Sequence, residues 1–223
     1  MGIKYKVDYN FFKEWSRKMA YVLGCLFADG SLENSTYIRG KYIRFSSIDR
    51  SFVDSIRHLM GSSHTIIKFA KHGKRKAMYF LRIGSHTVYN DLEKLGLFPR
   101  KSLTMEFPRI PEFYLSDFIR GYFDGDGSVV IDKYKKNKNN KRLKAIFTSG
   151  SSKFLRTLDE SLQKHCNIDG PNFYKSNKSF QLVYRSSKAR KVLNFLYRDI
   201  EDYLYLKRKY DFYQSALRQL NLN

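Results

Sequence analysis

Two carboxylates stand at the ends of two similar stretches. Residues 22–30 read VLGCLFADG and close on Asp29-Gly30; residues 119–127 read IRGYFDGDG and close on Asp126-Gly127. Each reads as a short apolar helix stopped by an acid and a glycine, Gly supplying the left-handed conformation that ends helices. Alone, Asp-Gly is a common stop-and-turn signal. Here it occurs twice, each time after a small residue, Ala28 or Gly125. Each helix also carries small residues four apart, Gly24/Ala28 and Gly121/Gly125. Residues i and i+4 share a helix face. The small pairs therefore predict two backbones packed nearly in contact, with Asp29 and Asp126 side by side. Helix C-termini carry partial negative charge, and two carboxylates add to it. A divalent cation removes that conflict, and carboxylates with free carbonyls suit Mg²⁺. Two metals flanking a phosphate would generate hydroxide and stabilise the leaving oxygen.

Other chemistries fit less well. Asp124-Gly125-Asp126-Gly127-Ser128 resembles the start of a calcium-binding EF-hand loop, but the sixth position is Val129 rather than Gly and the twelfth is Lys135 rather than Glu. His58, His64, His72, His86 and His165 are dispersed and lack metal-ligand spacing. Cys25 and Cys166 make neither a disulfide framework nor a zinc site, and read as packing residues.

The composition points to a polyanionic partner. The chain has 223 residues and a net charge of +21. Its apolar fraction of 42% is enough to fold, and its charge favours nucleic acid. No run of about 18 apolar residues exists to span a bilayer. The N-terminus, with Lys4, Lys6, Asp8 and Lys13, is not a secretory signal. The expectation is an intracellular protein (cytoplasm, nucleoid or organelle of its host), not secreted and not membrane-bound.

The elements that must position the carboxylates come in a repeated order. The first helix begins near Ser16 and ends at Asp29. Strands follow at about 31–39 and 41–47, then a helix capped by Asp49, strands at 64–71 and 76–83, and a helix at 85–95. After a stretch with Pro99, Pro108 and Pro111, the order recurs. A helix at 115–126 leads to strands near 128–134 and 142–149, a helix at 151–166, strands at 172–176 and 179–185, and a helix at 187–198. Matched residues support the repeat: Phe45-Ser46-Ser47 with Phe147-Thr148-Ser149, Phe52-Val53 with Phe154-Leu155, and Arg100-Lys101 with Arg208-Lys209. A last amphipathic helix is expected over 202–220. The fold class is α+β: two pseudo-symmetric αββαββα copies, each a four-stranded antiparallel sheet with helices on one face. The expected division is a first half at 1–98, a linker at 99–114 and a second half at 115–223.

The two motifs, the double copy and the Arg-Lys pairs resemble a single-chain, two-motif LAGLIDADG homing endonuclease over about residues 16–210. IRGYFDGDG, preceded by Asp117-Phe118, is a strong form of the motif. VLGCLFADG is looser: Phe27 stands where the family often has an acid, and Cys25 where it often has an aliphatic residue. The resemblance implies a saddle of two sheets in the major groove of a long DNA site. It implies cleavage of both strands across the minor groove, leaving four-base 3′ overhangs, by a monomer often borne on a mobile intron. By the same resemblance Asp29 and Asp126 are metal ligands, helped by the carbonyls of Ala28 and Gly125. Lys101 and Lys209 fall where the family often places basic residues lining the water pocket; simple phosphate contact is their other reading.

Sheet alternation then nominates the residues that face DNA. With Phe45 inward, Tyr42, Arg44 and Ser46 point outward. With Phe147 inward, Arg142, Lys144 and Thr148 point outward. With Leu81 and Leu182 inward, Arg82, Gln181 and Arg185 point outward. Lys175 and the basic turns, Lys71, Lys74, Arg75 and Lys76 in one copy and Lys133, Lys135 and Lys136 in the other, are expected phosphate contacts. The rival reading is a non-cutting binder on the same scaffold, an intron RNA maturase or a DNA-binding regulator. Retention of both carboxylates argues against it, because a pure binder need not keep charges at helix C-termini.

Overall fold

The computed structural model describes residues 5–35, 40–70, 77–134, 137–176 and 179–221, and within the strands omits the side chains of 35, 133, 134 and 137–140. Helix α1 (Arg17–Asp29) leads into strands β1 (Gly30–Ser35) and β2 (Gly40–Ser47). Helix α2 (Arg50–Leu59), strands β3 (Ile66–Phe69) and β4 (Met78–Gly84) and helix α3 (His86–Lys94) complete the first copy. The second copy repeats it: α4 (Leu115–Asp126), β5 (Gly127–Tyr134), β6 (Asn137–Ser149), α5 (Ser152–Cys166), β7 (Asn172–Lys175), β8 (Phe180–Arg185) and α6 (Ser186–Tyr197). Helix α7 (Lys207–Gln219) follows. The sheets have matching antiparallel orders, β1-β2-β4-β3 and β5-β6-β8-β7.

Local chemistry explains the boundaries. The side chains of Ser16, Asp49, Ser85 and Ser151 accept from backbone N–H groups in the first turns of α1, α2, α3 and α5. Nine consecutive residues of α1, Met19 to Phe27, are buried, as are nine of α4. Helices buried on every side belong to the middle of a core. Phe27, Phe118, Phe107 and Phe154 pack around them with ring centroids 5.3–6.1 Å apart. Phe107 comes from the expected linker, where Lys101 and Met105 are also buried. That segment is packed against the core and is not a free tether.

One expectation is corrected. The last helix starts at Lys207 rather than 202, because Tyr203 adopts a left-handed φ of 68° and Leu206 is extended. Tyr203 therefore leaves the amphipathic face and packs on His58, centroids 4.7 Å apart. The first strand is described only to Ser35; residues 36–39 of the expected strand lie outside the described residues. Among the described residues no helix is long and apolar enough to cross a membrane.

Candidate active site and nucleic-acid interface

The small residues bring α1 and α4 into backbone contact. A Cβ added at Gly24 would overlap the Phe118 carbonyl, and one at Gly121 would overlap the Tyr21 carbonyl. Neither position has room for a side chain. At the ends of the helices a Cβ on Gly125 would strike the Ala28 side chain and lie 3.0 Å from a carboxylate oxygen of Asp29. The glycines after the acids serve a purpose other than the expected one. Gly30 (φ −89°) and Gly127 (φ −93°) are extended, not left-handed. What forbids a side chain is space: added Cβ atoms would strike Leu26 and Phe123 one turn back. The chain thus passes from helix to strand without a loop, and β1 and β5 leave directly from the carboxylates.

Asp29 and Asp126 share one charged environment. Burial, then the proximity of Asp126, raises the Asp29 carboxyl from 3.8 to about 6. Burial raises Asp126 as well, against the pull of Lys101 and Lys209. Both lysines are buried, at 4% and 7% exposure. The Lys101 ammonium donates to the carbonyl of Gly30 at 2.9 Å and lies 3.4 Å from that of Ala28. The Lys209 ammonium donates to the carbonyls of Phe123 (2.6 Å), Asp124 (2.8 Å) and Gly127 (2.6 Å) and lies 3.4 Å from that of Gly125. Each cation thus sits under a helix C-terminus, where it offsets the carbonyl dipoles. Burial pushes both ammonium groups down to about 8. These lysines are enclosed beneath the helix ends, so the alternative of simple phosphate contact does not match their placement. Beside Lys209 a cleft of about 410 Å³ opens between Gly125, Gly127, Ser128, Arg208 and Phe212.

The donor set fits a hard divalent cation. Among the described residues no three His, Cys, Asp or Glu side chains come together. A cation at the helix ends would therefore take two carboxylates and complete its shell with carbonyls, water and substrate oxygens, as Mg²⁺ does. The Ala28 and Gly125 carbonyls retain capacity, since each has a long 3.4 Å lysine contact among the described residues and a carbonyl oxygen has two lone pairs. Two partly buried carboxylates, both raised by burial and Asp29 raised further by Asp126, stand to gain from a cation.

The outer faces of the sheets carry the expected alternation. Phe45, Leu81, Phe147 and Leu182 are buried, and Tyr42, Arg44, Ser46, Arg82, Arg142, Lys144, Thr148, Gln181 and Arg185 face the other way, all at least partly exposed. Sequence reasoning passed over the acids among them. Glu33 binds both Arg44 (3.3 Å) and Arg82 (2.9 Å), and Arg82 stacks on Tyr42 at 3.9 Å. Asp132 binds Arg142 (3.3 Å) and Lys144 (2.5 Å). Strand parity was the available signal, because both acids alternate with inward apolar neighbours. Arg185 donates to the Tyr174 hydroxyl at 2.8 Å and to Asn172. Lys175 departs from the set: it has the parity of Phe173, which packs against Arg156 of α5 at 5.0 Å, on the helix side of the sheet. Lys71, Lys74, Arg75, Lys76, Lys135 and Lys136 lie outside the described residues, as does the side chain of Lys133. Asp124, buried between the helices, is the other residue missed; it occupies the motif position held by Phe27 in the first copy.

Comparison with known proteins agrees with this architecture. Residues 114–196 match the family model of the LAGLIDADG-like domain. An uncharacterized protein of Methanocaldococcus jannaschii is 26% identical over 121 residues, 53% of this chain and 41% of its own length. The match therefore spans about two fifths of that relative's length. Among solved structures, the LAGLIDADG meganuclease I-AabMI bound to uncleaved DNA aligns over 93% of this chain and 91% of its own, at 13% identity and a TM-score of 0.62. The homing endonuclease I-WcaI bound to its DNA recognition sequence aligns over 90% of both chains, at 13% identity and a TM-score of 0.58. The I-SmaMI LAGLIDADG homing endonuclease bound to cleaved DNA aligns over 94% of this chain and 91% of its own, at 14% identity and a TM-score of 0.58. The second half of the present chain matches the LAGLIDADG-like domain, and the chain as a whole has the two-copy, single-chain fold of the LAGLIDADG homing endonucleases.

Proposed function

We propose that this protein is a sequence-specific, divalent-metal-dependent double-strand DNA endonuclease acting as a monomer inside its host cell. The observation that carries the reading is the pair of partly buried carboxylates at adjoining helix ends, each backed by a buried lysine. A purely binding scaffold, whether it took DNA or intron RNA, has no use for two acids whose burial is unfavourable. The basic outer faces of the sheets receive the duplex in its major groove, with the scissile phosphates over the helix ends. Arg44, Arg82, Arg142, Lys144 and Arg185 supply donors to base edges and backbone. Asp29 and Asp126, with the Ala28 and Gly125 carbonyls, would hold Mg²⁺, which would supply activation of water and charge stabilisation at the phosphate. Lys101 and Lys209, with proton affinities brought toward neutrality, keep the site's charge balanced and are able to exchange a proton with water in it. With one carboxylate and one lysine per copy, each copy serves one strand, and cleavage across the minor groove leaves four-base 3′ ends.

The test is cleavage of a randomised duplex library in Mg²⁺, with the ends sequenced and Asp29→Asn and Asp126→Asn run alongside. The expected result is four-base 3′ ends at one recurring sequence, lost in either variant while binding persists. Enrichment of bound duplexes without new ends would refute cutting and favour the regulator. Continued cutting by both variants would remove the mechanism.

A further inference from the structure

The two copies differ in how they carry their buried lysine. Lys101 follows Leu95 by six residues, whereas Lys209 follows its counterpart Leu196 by thirteen. The longer strap of the second copy, residues 198–206, joins α6 to α7 and is fastened to α4 through charged side chains. Arg120 donates to the carbonyls of Leu196 (2.7 Å) and Leu204 (2.6 Å) and pairs with Asp117. Asp117 also takes Arg17, which in turn holds the Asp199 carbonyl and Glu201. One turn beyond Arg120, Asp124 accepts from the Leu206 backbone N–H at 2.7 Å, the Tyr21 hydroxyl at 2.9 Å and the Tyr197 hydroxyl at 3.1 Å. Asp117, Arg120 and Asp124 are each only 1% exposed.

At the matching positions of α1 stand Ala20, Leu23 and Phe27, all buried, and there the lysine follows without a long strap. Buried charge is unfavourable unless its partners are fixed. The second copy nevertheless keeps three such groups, and Arg120 and Asp124 both bind the strap. Leu206 immediately precedes α7, and its carbonyl accepts from the Lys209 backbone N–H at 2.9 Å. Asp124 therefore holds the residue on which the lysine's own backbone hangs.

We infer that Asp124 is a positioning residue for Lys209: by anchoring Leu206 it sets where the Lys209 ammonium enters the end of α4, and so governs cleavage of one DNA strand and not the other. The inference rests on the endonuclease reading. The strand selectivity follows from symmetry: the strands of a duplex are related by a twofold axis, as the two copies nearly are, so each scissile phosphate meets one lysine.

The experiment uses the full chain and a supercoiled plasmid carrying the target selected from the library, in Mg²⁺, with the cut in each strand mapped and timed. Lys209→Met and Lys101→Met identify which strand each lysine serves. Asp124→Ala should slow the Lys209 strand on the order of 10- to 100-fold and leave the other within about twofold, so that nicked circles accumulate. Asp124→Asn, which keeps an acceptor for the Leu206 N–H but puts an amide NH₂ that cannot accept in place of the oxygen that takes the Tyr197 hydroxyl, loosens the anchor and should slow the same strand by less, and it decides the matter if the alanine variant does not fold. Loss of folded protein would affect both strands alike, so the strand ratio separates positioning from mere stability. Equal slowing of both strands, slowing confined to the Lys101 strand, or no slowing in the deciding variant would overturn the inference. A wild-type protein that cuts no duplex would overturn the endonuclease reading and this inference with it.

Discussion

Replacing Asp29 by Asn should stabilise the protein while destroying its proposed chemistry, and the size of the gain follows from the site. Burial and Asp126 raise the Asp29 carboxyl from 3.8 to about 6. The folded protein therefore holds this proton more tightly than the unfolded chain does. Below about pH 4 the group is protonated in both states and imposes no charge penalty. Between pH 4 and 6 the unfolded chain ionises first, and stability falls as pH rises. Above pH 6 the penalty is complete, at about 3 kcal/mol given roughly 1.4 kcal/mol per pH unit. Asn keeps the shape without the charge but must still satisfy a buried amide, so the expected gain at pH 8 is about 1–3 kcal/mol. In a chain of this size that amounts to roughly 2–10 °C in Tm. The assay is thermal melting of wild type and variant in a chelator from pH 4 to 8. The gap should open between pH 4 and 6 and stay flat above. Added Mg²⁺ should then raise the wild type more than the variant, because a ligand stabilises only the state that binds it. A gap absent at pH 8, or equal at pH 4 and 8, would show that Asp29 is not held in a charge-penalised site.

Two further outcomes test the packing and the interface. Gly121→Val places a side chain where the Tyr21 carbonyl lies and should destabilise by about 3 kcal/mol or more in chemical denaturation, since backbone overlap has no rotamer to relieve it; a loss under about 1 kcal/mol would contradict the close approach of α1 and α4. Glu33→Gln frees Arg44 and Arg82 from their shared counter-ion and should tighten DNA binding and steepen its salt dependence by about one charge. An unchanged slope across 50–200 mM salt would mean that these arginines do not face the phosphates.

The elements and the candidate carboxylates were legible in the sequence because their signals are local. The repeat and the Asp49 cap are read from neighbouring residues, and the alternation that puts Phe45 and Phe147 inward and the small residues four apart depend on a period of two or about 3.6 residues, which the chain displays directly. What failed was also local in form but decided elsewhere. Asp-Gly was read as a left-handed stop, yet Gly30 and Gly127 are extended, and their lack of a side chain answers to Leu26 and Phe123 one turn back. The last helix was begun five residues early because Tyr203 takes a backbone conformation that apolar periodicity does not report. The depth of the lysines could not be read at all. Whether Lys209 meets solvent or the carbonyls of α4 depends on contacts 82 to 86 residues apart in the chain. The same holds for Asp124, which the sequence offered only as the start of an EF-hand-like run and which holds Leu206 from the buried side of α4. Spacing along the chain determined which groups could do chemistry; only the packing of the Lys101 segment beneath the first motif and of α7 beneath the second decided which of them are enclosed, what they bind, and how burial shifts their protons.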